Sequence, residues 1–272
     1  MQVIDLTQHF INCVVRNNNQ SDYENLFPAL FEHYYRFWTT RQPDFKFGED
    51  DVIRRTKLIK ERLPIIEQCF AKNGLSVDTI TIALFVGRNA SNGHAFEHEA
   101  RFVVWIPVET YSSAPDVDVF VSHEIAHALH YQYEPAFYFT NSAEKNQMLR
   151  QLVTEGVATL VSKVVMGIDE VGALWADYLP RDKAQAWYEQ CKLREKELSQ
   201  FVLTHLEDSD EENSLFWFSD SEDIFRNRAG YYLGCLLAER ICKKREYSLR
   251  DLLSISRTEF HKMVIEELTA LI

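Results

Sequence analysis

Basic residues are outnumbered in this chain of 272 residues, and both glycine and proline are scarce. There are 29 Lys and Arg against 41 Asp and Glu, which gives a formal net charge of −12. This charge disfavours nucleic acids and anionic membranes as partners, because both carry the same sign of charge. Only 9 glycines and 7 prolines are present, which argues against a loop-rich or repeat architecture.

The chain also lacks long apolar runs and paired cysteines. No apolar stretch approaches the ~20 residues of a membrane-spanning helix, and no basic segment followed by an apolar run stands at the N-terminus. We therefore expect neither a membrane span nor a signal peptide. The five cysteines are odd in number and scattered, without Cys-x-x-Cys spacing. Free thiols in a reducing compartment are the simplest interpretation, and we expect a cytoplasmic protein.

Apolar and aromatic side chains are abundant, at 46% and 13% of the residues. This composition is typical of a soluble globular protein, whose length allows one large core or two closely joined lobes. Helical periodicity dominates the start of the chain, with an apolar stripe over residues 3–15 and an amphipathic helix from Asp50 to Asn73; residues 40–49 read as a loop. We expect an N-terminal helical region over residues 1–74, packed as one unit with residues 75–272.

Two segments in the middle of the chain have the composition of strands. Val77–Val86 and Arg101–Glu109 are rich in β-branched and aromatic residues, and together they predict a small antiparallel sheet. The segment between them, Gly87–Phe96, is small and polar, which is typical of a flexible rim. Pro107 indicates an edge position for the second strand, because proline cannot donate a ladder hydrogen bond. The expected fold class is α+β, mainly α-helical, with a helical C-terminal part.

The segment His123-Glu124-Ile125-Ala126-His127 has the pattern His-Glu-x-x-His. On a helix, His123 and His127 lie one turn apart on one face, so both imidazoles can reach one metal ion. Glu124 then lies beside the metal, where it can take a proton from a metal-bound water. The stretch Ser113–Asp116 supports the helix, since it reads as an N-cap with a proline in the first turn. The alternative is that these polar side chains are hydrogen-bonded in the core.

A zinc hydrolase needs a third protein ligand, and Glu155 is the candidate. It follows His127 after 27 residues, which leaves room for a loop and a returning helix. Glu155 stands on an apolar helical segment, where a lone buried carboxylate is costly unless it is paired or bound to metal. Gly156 and Ala158 are small enough to let two helices approach closely. The alternative is an ordinary charge on a solvated helix face.

These motifs resemble the gluzincins, zinc peptidases in which His-Glu-x-x-His is followed by Glu-Gly-x-Ala on the next helix. The later segment Ala229–Gly234 also resembles the C-terminal motif of a family of zinc-dependent proteases known mainly as an uncharacterised domain. The resemblance covers roughly residues 80–260 and implies a zincin-like core. The 27-residue spacing is longer than in the thermolysin-like branch, so no branch is assigned.

The resemblance also implies roles for residues outside the metal motif. In gluzincins a phenol or an imidazole donates a hydrogen bond to the tetrahedral oxyanion, and this role would fall to Tyr231. Tyr232 points about 100° away on the same helix, so both cannot serve; a packed core tyrosine is the alternative for Tyr231. An edge strand before the metal helix pairs with substrate in gluzincins. The loop after Gly87 and the strand Arg101–Pro107 are the candidates here, with a plain hairpin turn as the alternative.

The expected function is that of a zinc-dependent peptidase acting on a peptide or protein substrate. His123, His127 and Glu155 would bind Zn²⁺, and Glu124 would act as the general base. Two alternatives stay open: a zinc hydrolase of non-peptide substrates, and a helical binding protein whose metal motif is structural or degenerate. Formylated-peptide hydrolases share the motif but use an upstream cysteine ligand, and the nearest upstream cysteine here, Cys69, lies on a separate predicted helix.

Overall fold

The computed structural model describes residues 1–40, 47–219 and 222–272. Internal contacts group these residues into two units, Met1–Ala128 and Leu129–Ile272. Most of the loop predicted over residues 40–49 lies outside the described residues. The fold class is confirmed, since helices predominate and one small sheet is present. No helix in the described part of the chain is long and apolar enough to cross a membrane.

The sheet belongs to the first unit and is mixed. Its strands are β1 (Gln2–Asp5), β2 (Thr81–Phe85), β3 (His94–His98) and β4 (Arg101–Pro107), in the order β1-β2-β4-β3. The pairs β1–β2 and β2–β4 are parallel, and only β3–β4 is antiparallel. The prediction of an antiparallel sheet was therefore wrong. Helices separate β1 from β2, and such long crossovers allow parallel pairing.

Two further predictions about strands were wrong. Gln2–Asp5 forms a strand, whereas the apolar stripe over residues 3–15 predicted a helix from its start; the helical part begins at Thr7. The strand β4 is not at the edge, because it pairs with β2 on one side and β3 on the other. Pro107 is tolerated because it is the last residue of β4, two positions beyond the end of the β3 ladder at Trp105.

The first unit also contains α-helices, which separate or follow the strands in the chain. They are α1 (Thr7–Phe10), continued by a π-helical stretch Ile11–Val15, then α2 (Gln20–Glu24), α3 (Pro28–Phe37), α4 (Glu49–Lys72) and α5 (Ala114–Asp116). The limits of α4 agree with the predicted helix to within one residue at each end. Its buried side chains recur every three to four residues, as an amphipathic helix requires; they are Val52, Thr56, Ile59, Leu63, Ile66 and Phe70.

The helix α6 (Ser122–Tyr133) contains the boundary between the two units. Within the residues that the structure describes, the regular structure of the second unit is entirely helical. Its helices are α7 (Ser142–Asn146), α8 (Met148–Met166), α9 (Glu170–Trp175), α10 (Arg181–Leu193), α11 (Glu195–Thr204), α12 (Ala229–Arg245), α13 (Leu249–Leu253) and α14 (Arg257–Ala270). The core of this unit is the pair α8 and α12, which pack along each other. Most residues of α8 are buried, which fits its apolar sequence.

Candidate metal centre

A capping box begins the helical segment that carries the His-Glu-x-x-His motif. The Ser113 hydroxyl accepts a hydrogen bond from the Asp116 amide at 3.2 Å, and the Asp116 carboxylate accepts one from the Ser113 amide at the same distance. Together they satisfy two amide groups that have no partner within a helix. The predicted N-cap is confirmed, and it fixes where the helical segment starts.

A π-helical stretch, Val117–Val121, connects α5 to α6. Such stretches are rare and frequently occur at functional sites. Arg62 of α4 holds this one with two parallel hydrogen bonds to the carboxylate of Asp118, at 2.7 and 2.6 Å. The fork geometry of guanidinium and carboxylate makes this contact directional. The start of α6 is thereby held in place.

His123 and His127 present their Nε2 atoms to each other. Both side chains are buried, with exposed fractions of 7% and 2%. The two Nε2 atoms are 3.1 Å apart, and the ring planes are nearly perpendicular, at 81°. The i, i+4 spacing on α6 therefore produces the convergence of two imidazoles that the sequence predicts.

Glu155 supplies a third donor from α8. One ligand atom from each of His123, His127 and Glu155 lies within 4.8 Å of the other two, and the carboxylate is half-buried. The structure thus brings together the three side chains that the sequence predicts as metal ligands. These residues form a group that could hold a metal ion.

The donor set fits zinc. Two ligands of a tetrahedral zinc ion with bonds of ~2.05 Å are about 3.3 Å apart, close to the observed Nε2–Nε2 separation of 3.1 Å. Two imidazoles and one carboxylate are also the ligands of a catalytic zinc site, in which a fourth position stays open. A structural zinc site would instead use four protein ligands, mostly cysteines. The observed group contains no cysteine.

Glu124 follows the first histidine and is not one of the three donors. Its side chain is buried, with 5% exposed, and it packs against the backbone of Gly93, at the end of the loop between β2 and β3. The next residue, His94, has its ring centre 6.3 Å from that of His127. The sequence indicated neither neighbour, because both stand in a small polar segment that predicts a flexible rim.

Tyr231 and Tyr232 differ in their surroundings within the second unit. The hydroxyl of Tyr232 donates a hydrogen bond to Glu195, and burial together with this carboxylate raises the pKa of Tyr232 far above its ordinary value. Tyr231 is half-buried, with its ring edge-on to Phe216 and the guanidinium of Arg228 4.5 Å above its centre. The phenol of Tyr232 is therefore committed to Glu195.

Comparison with known proteins agrees with this description of the metal centre. A family model described as "Predicted Zn-dependent protease (DUF2268)" matches residues 77–262, which is more than half of the chain. The matched segment contains the His-Glu-x-x-His motif, Glu155 and Tyr231. No curated protein and no solved structure matches the chain.

Proposed function

Because the chain belongs to the DUF2268 family of predicted zinc-dependent proteases, we propose that it is a peptidase with one zinc ion in a gluzincin-like site. The observation that carries this proposal is the convergence of His123, His127 and Glu155 within 4.8 Å. Two imidazoles and one carboxylate leave a coordination position open, as hydrolysis at zinc requires. The 27-residue spacing between His127 and Glu155 is longer than in the thermolysin-like branch, and we assign no branch.

Each side chain then has a separate task. His123 and His127 would hold zinc through Nε2, and Glu155 through a carboxylate oxygen. When bound, zinc lowers the pKa of a coordinated water to about 7 and polarises a carbonyl. Glu124 accepts a proton from the attacking water and passes it to the leaving amine. Tyr231 donates a hydrogen bond to the oxygen that becomes negative in the transition state.

The position of β3 supports a peptide as substrate. This strand lies at the edge of the sheet, where its outer backbone groups can pair with an extended chain. Its first residue, His94, follows Gly93, which packs against Glu124. A peptide paired with β3 would therefore run directly past the general base. The strand β4, which the sequence indicated for this task, is paired on both sides.

The test compares Glu124→Gln with the wild-type protein. We expect the variant to bind one equivalent of zinc, since its imidazoles and Glu155 are unchanged. Its rate of peptide hydrolysis should fall by about 10²–10⁴-fold, as is usual when a general base is removed. Zinc content is measured by elemental analysis, and activity with a mixture of unmodified peptides whose products are identified by mass spectrometry.

Glu266→Gln is the matched control, because Glu266 is an exposed carboxylate on α14. It should retain both zinc and activity. A Glu124→Gln protein that hydrolyses peptides as fast as wild type would overturn the role of Glu124. A zinc-loaded wild type that cleaves no peptide, yet hydrolyses another class of amide or ester, would replace the peptidase proposal with a non-peptide hydrolase.

A further inference from the structure

Gly93 is in direct contact with Glu124. A Cβ atom built on Gly93 would lie 2.6 Å from Cγ of Glu124, 3.1 Å from Cδ1 of Ile106 and 3.2 Å from the Trp105 carbonyl oxygen. Ordinary van der Waals contacts of such an atom begin near 3.4 Å. Any larger residue at this position would therefore displace the side chain of Glu124, and only glycine leaves it where it is.

The loop that ends at Gly93 is held at its C-terminal end. The Ser91 hydroxyl donates a hydrogen bond to the Gly93 carbonyl oxygen at 3.0 Å. The Tyr111 hydroxyl donates another to the carbonyl oxygen of Asn92. These contacts fix the backbone at Gly93 and at the residue before it, so this segment is not the flexible rim that its composition predicts.

Glu109 holds the other end of the same loop. Its buried carboxylate accepts hydrogen bonds from the amide of Gly87, at 3.0 and 3.1 Å, and from the amide of Asn89, at 3.0 Å. The Tyr34 hydroxyl accepts a hydrogen bond from the amide of Arg88 at 2.8 Å. Three consecutive amides, from Gly87 to Asn89, are thus bound by side chains from outside the loop.

Burial of the Glu109 carboxylate is energetically unfavourable. Its hydrogen bonds must therefore offset the loss of hydration. Burial raises the pKa of Glu109 above its ordinary value, although the amides of Asn89 and Gly87 act in the opposite direction. The guanidinium of Arg55 lies close by and donates hydrogen bonds to the backbone carbonyls of Glu109 and Tyr111. Desolvation of a charged group is strongly unfavourable unless hydrogen bonds offset it. The hydrogen bonds from Gly87 and Asn89 that offset it here also hold the loop backbone.

We propose that Glu109 and Gly93 are positioning residues for Glu124. Glu109 fixes the start of the Gly87–Gly93 loop, the Ser91 and Tyr111 hydroxyls fix its end, and the Gly93 backbone then forms the wall against which Glu124 rests. The inference rests on the proposed role of Glu124 as general base. In this proposal the Gly87–Gly93 loop is a rigid wall beside Glu124, and it determines where the carboxylate meets the attacking water.

Gly93→Ala tests the contact at the wall. The new methyl group would move Cγ of Glu124 by about 0.8 Å to restore a normal contact, and displacement of a reacting group by ~1 Å costs about 10²-fold in rate. We expect kcat to fall by this order, with KM and zinc content unchanged. Gly48→Ala is the matched control, because a Cβ at Gly48 has nothing within 4 Å.

A double-mutant cycle tests the same contact without any measurement of activity. In a Glu124→Ala background the Cγ atom is absent, so the largest clash of the new methyl group is removed. We expect Gly93→Ala to lower the thermal unfolding temperature clearly in the wild-type background and by less than half as much in the Glu124→Ala background. Equal losses in the two backgrounds would show that Gly93 does not act on Glu124, and would overturn the inference.

Glu109→Gln tests the hydrogen bonds between the Glu109 carboxylate and the amides of Gly87 and Asn89. The amide group of glutamine offers one oxygen and turns an NH₂ group toward backbone amides that are themselves donors. We expect faster hydrogen exchange at Gly87 and Asn89, a lower kcat, and unchanged zinc content. Faster exchange with wild-type kcat would reduce Glu109 to a purely structural residue. A zinc-loaded wild type without any peptidase activity would refute the proposed function instead, while the unfolding cycle would still decide whether Gly93 and Glu124 are coupled.

Discussion

Gly156 and Gly234 bring the backbones of α8 and α12 into direct contact. A Cβ atom built on Gly156 would lie 2.3 Å from the carbonyl carbon of Gly234, and one built on Gly234 would lie 2.4 Å from the carbonyl oxygen of Leu152. Neither clash can be relieved by rotating a side chain, because backbone atoms are involved on both sides. Gly156 also follows Glu155 directly, so this contact sets the position of the helix that carries the third candidate metal ligand.

Gly156→Ala should destabilise the protein although alanine is the better helix former. The gain in helix propensity is about 1 kcal/mol, but overpacking against a rigid neighbour costs typically 1–3 kcal/mol and sometimes more. Because the clash is with backbone atoms, we expect the upper end of this cost and a net loss of about 2 kcal/mol in the free energy of unfolding. We also expect weaker zinc binding, because Glu155 moves with its helix. Denaturant titration and a zinc competition assay measure the two effects. A variant as stable as wild type would show that α8 and α12 are not held together at this point.

Zinc should stabilise the native protein through the three donors. A ligand at 100 times its dissociation constant adds about 2.7 kcal/mol, which for a chain of this length corresponds to roughly 5–10 °C in the unfolding temperature. We expect this shift in the wild type after chelator treatment and zinc addition, and its loss in His127→Ala. His9→Ala serves as control, because His9 is exposed on α1. An undiminished shift in His127→Ala would place the metal elsewhere.

The sequence identifies the three side chains that form the candidate metal group, because much of their geometry is local. A single helical turn sets the relation of His123 to His127. The apolar residues around Glu155 predict that its carboxylate is at least partly withdrawn from solvent, and it is half-buried. The capping residues Ser113 and Asp116 are also recognisable from the sequence alone. Each of these inferences depends on neighbours within a few positions in the chain.

The errors concern pairings that no local pattern contains. The apolar residues at the start of the chain fit a helix or a strand equally well. Gln2–Asp5 is a strand because it pairs in parallel with β2, which begins at Thr81. The edge strand His94–His98 is polar enough to look like a loop, and it is a strand because β4 lies beside it. The role of Glu109 in holding the loop had one signal in the sequence. It is a single carboxylate after a long apolar run, a pattern that predicts a buried, hydrogen-bonded acid.

Tyr231→Phe and Tyr232→Phe should have different effects. If Tyr231 donates to the developing oxyanion, its loss should lower kcat by about 10²–10³-fold with little change in KM or stability. Tyr232 is bonded to Glu195 instead, so its removal should lower stability by about 1–3 kcal/mol and leave kcat nearly unchanged. Steady-state kinetics and denaturant titration separate the two. The reverse pattern, with kcat lost only in Tyr232→Phe, would exclude Tyr231 as the donor.

Stability should fall as the pH is lowered through the range in which His261 titrates. Burial and the nearby Arg257 and Arg150 lower the pKa of His261 from 6.5 to about 4. The folded protein therefore holds this ring neutral at a pH where the unfolded chain takes up a proton, so its contribution to stability is complete above about 6.5. That contribution is lost as the pH falls from 6.5 toward 4.

The loss has an upper bound of about 3 kcal/mol for a shift of this size, and access of solvent to the half-buried ring makes it smaller. His261→Gln cannot be protonated, so the difference in unfolding free energy between pH 7 and pH 5 should be smaller in this variant than in wild type. Urea titrations at both pH values, done on chelator-treated protein, measure this difference. Without bound zinc, release of metal from His123 and His127 cannot contribute to the pH dependence. Equal pH dependence in the two proteins would mean that His261 is protonated as readily in the folded state as in the unfolded chain.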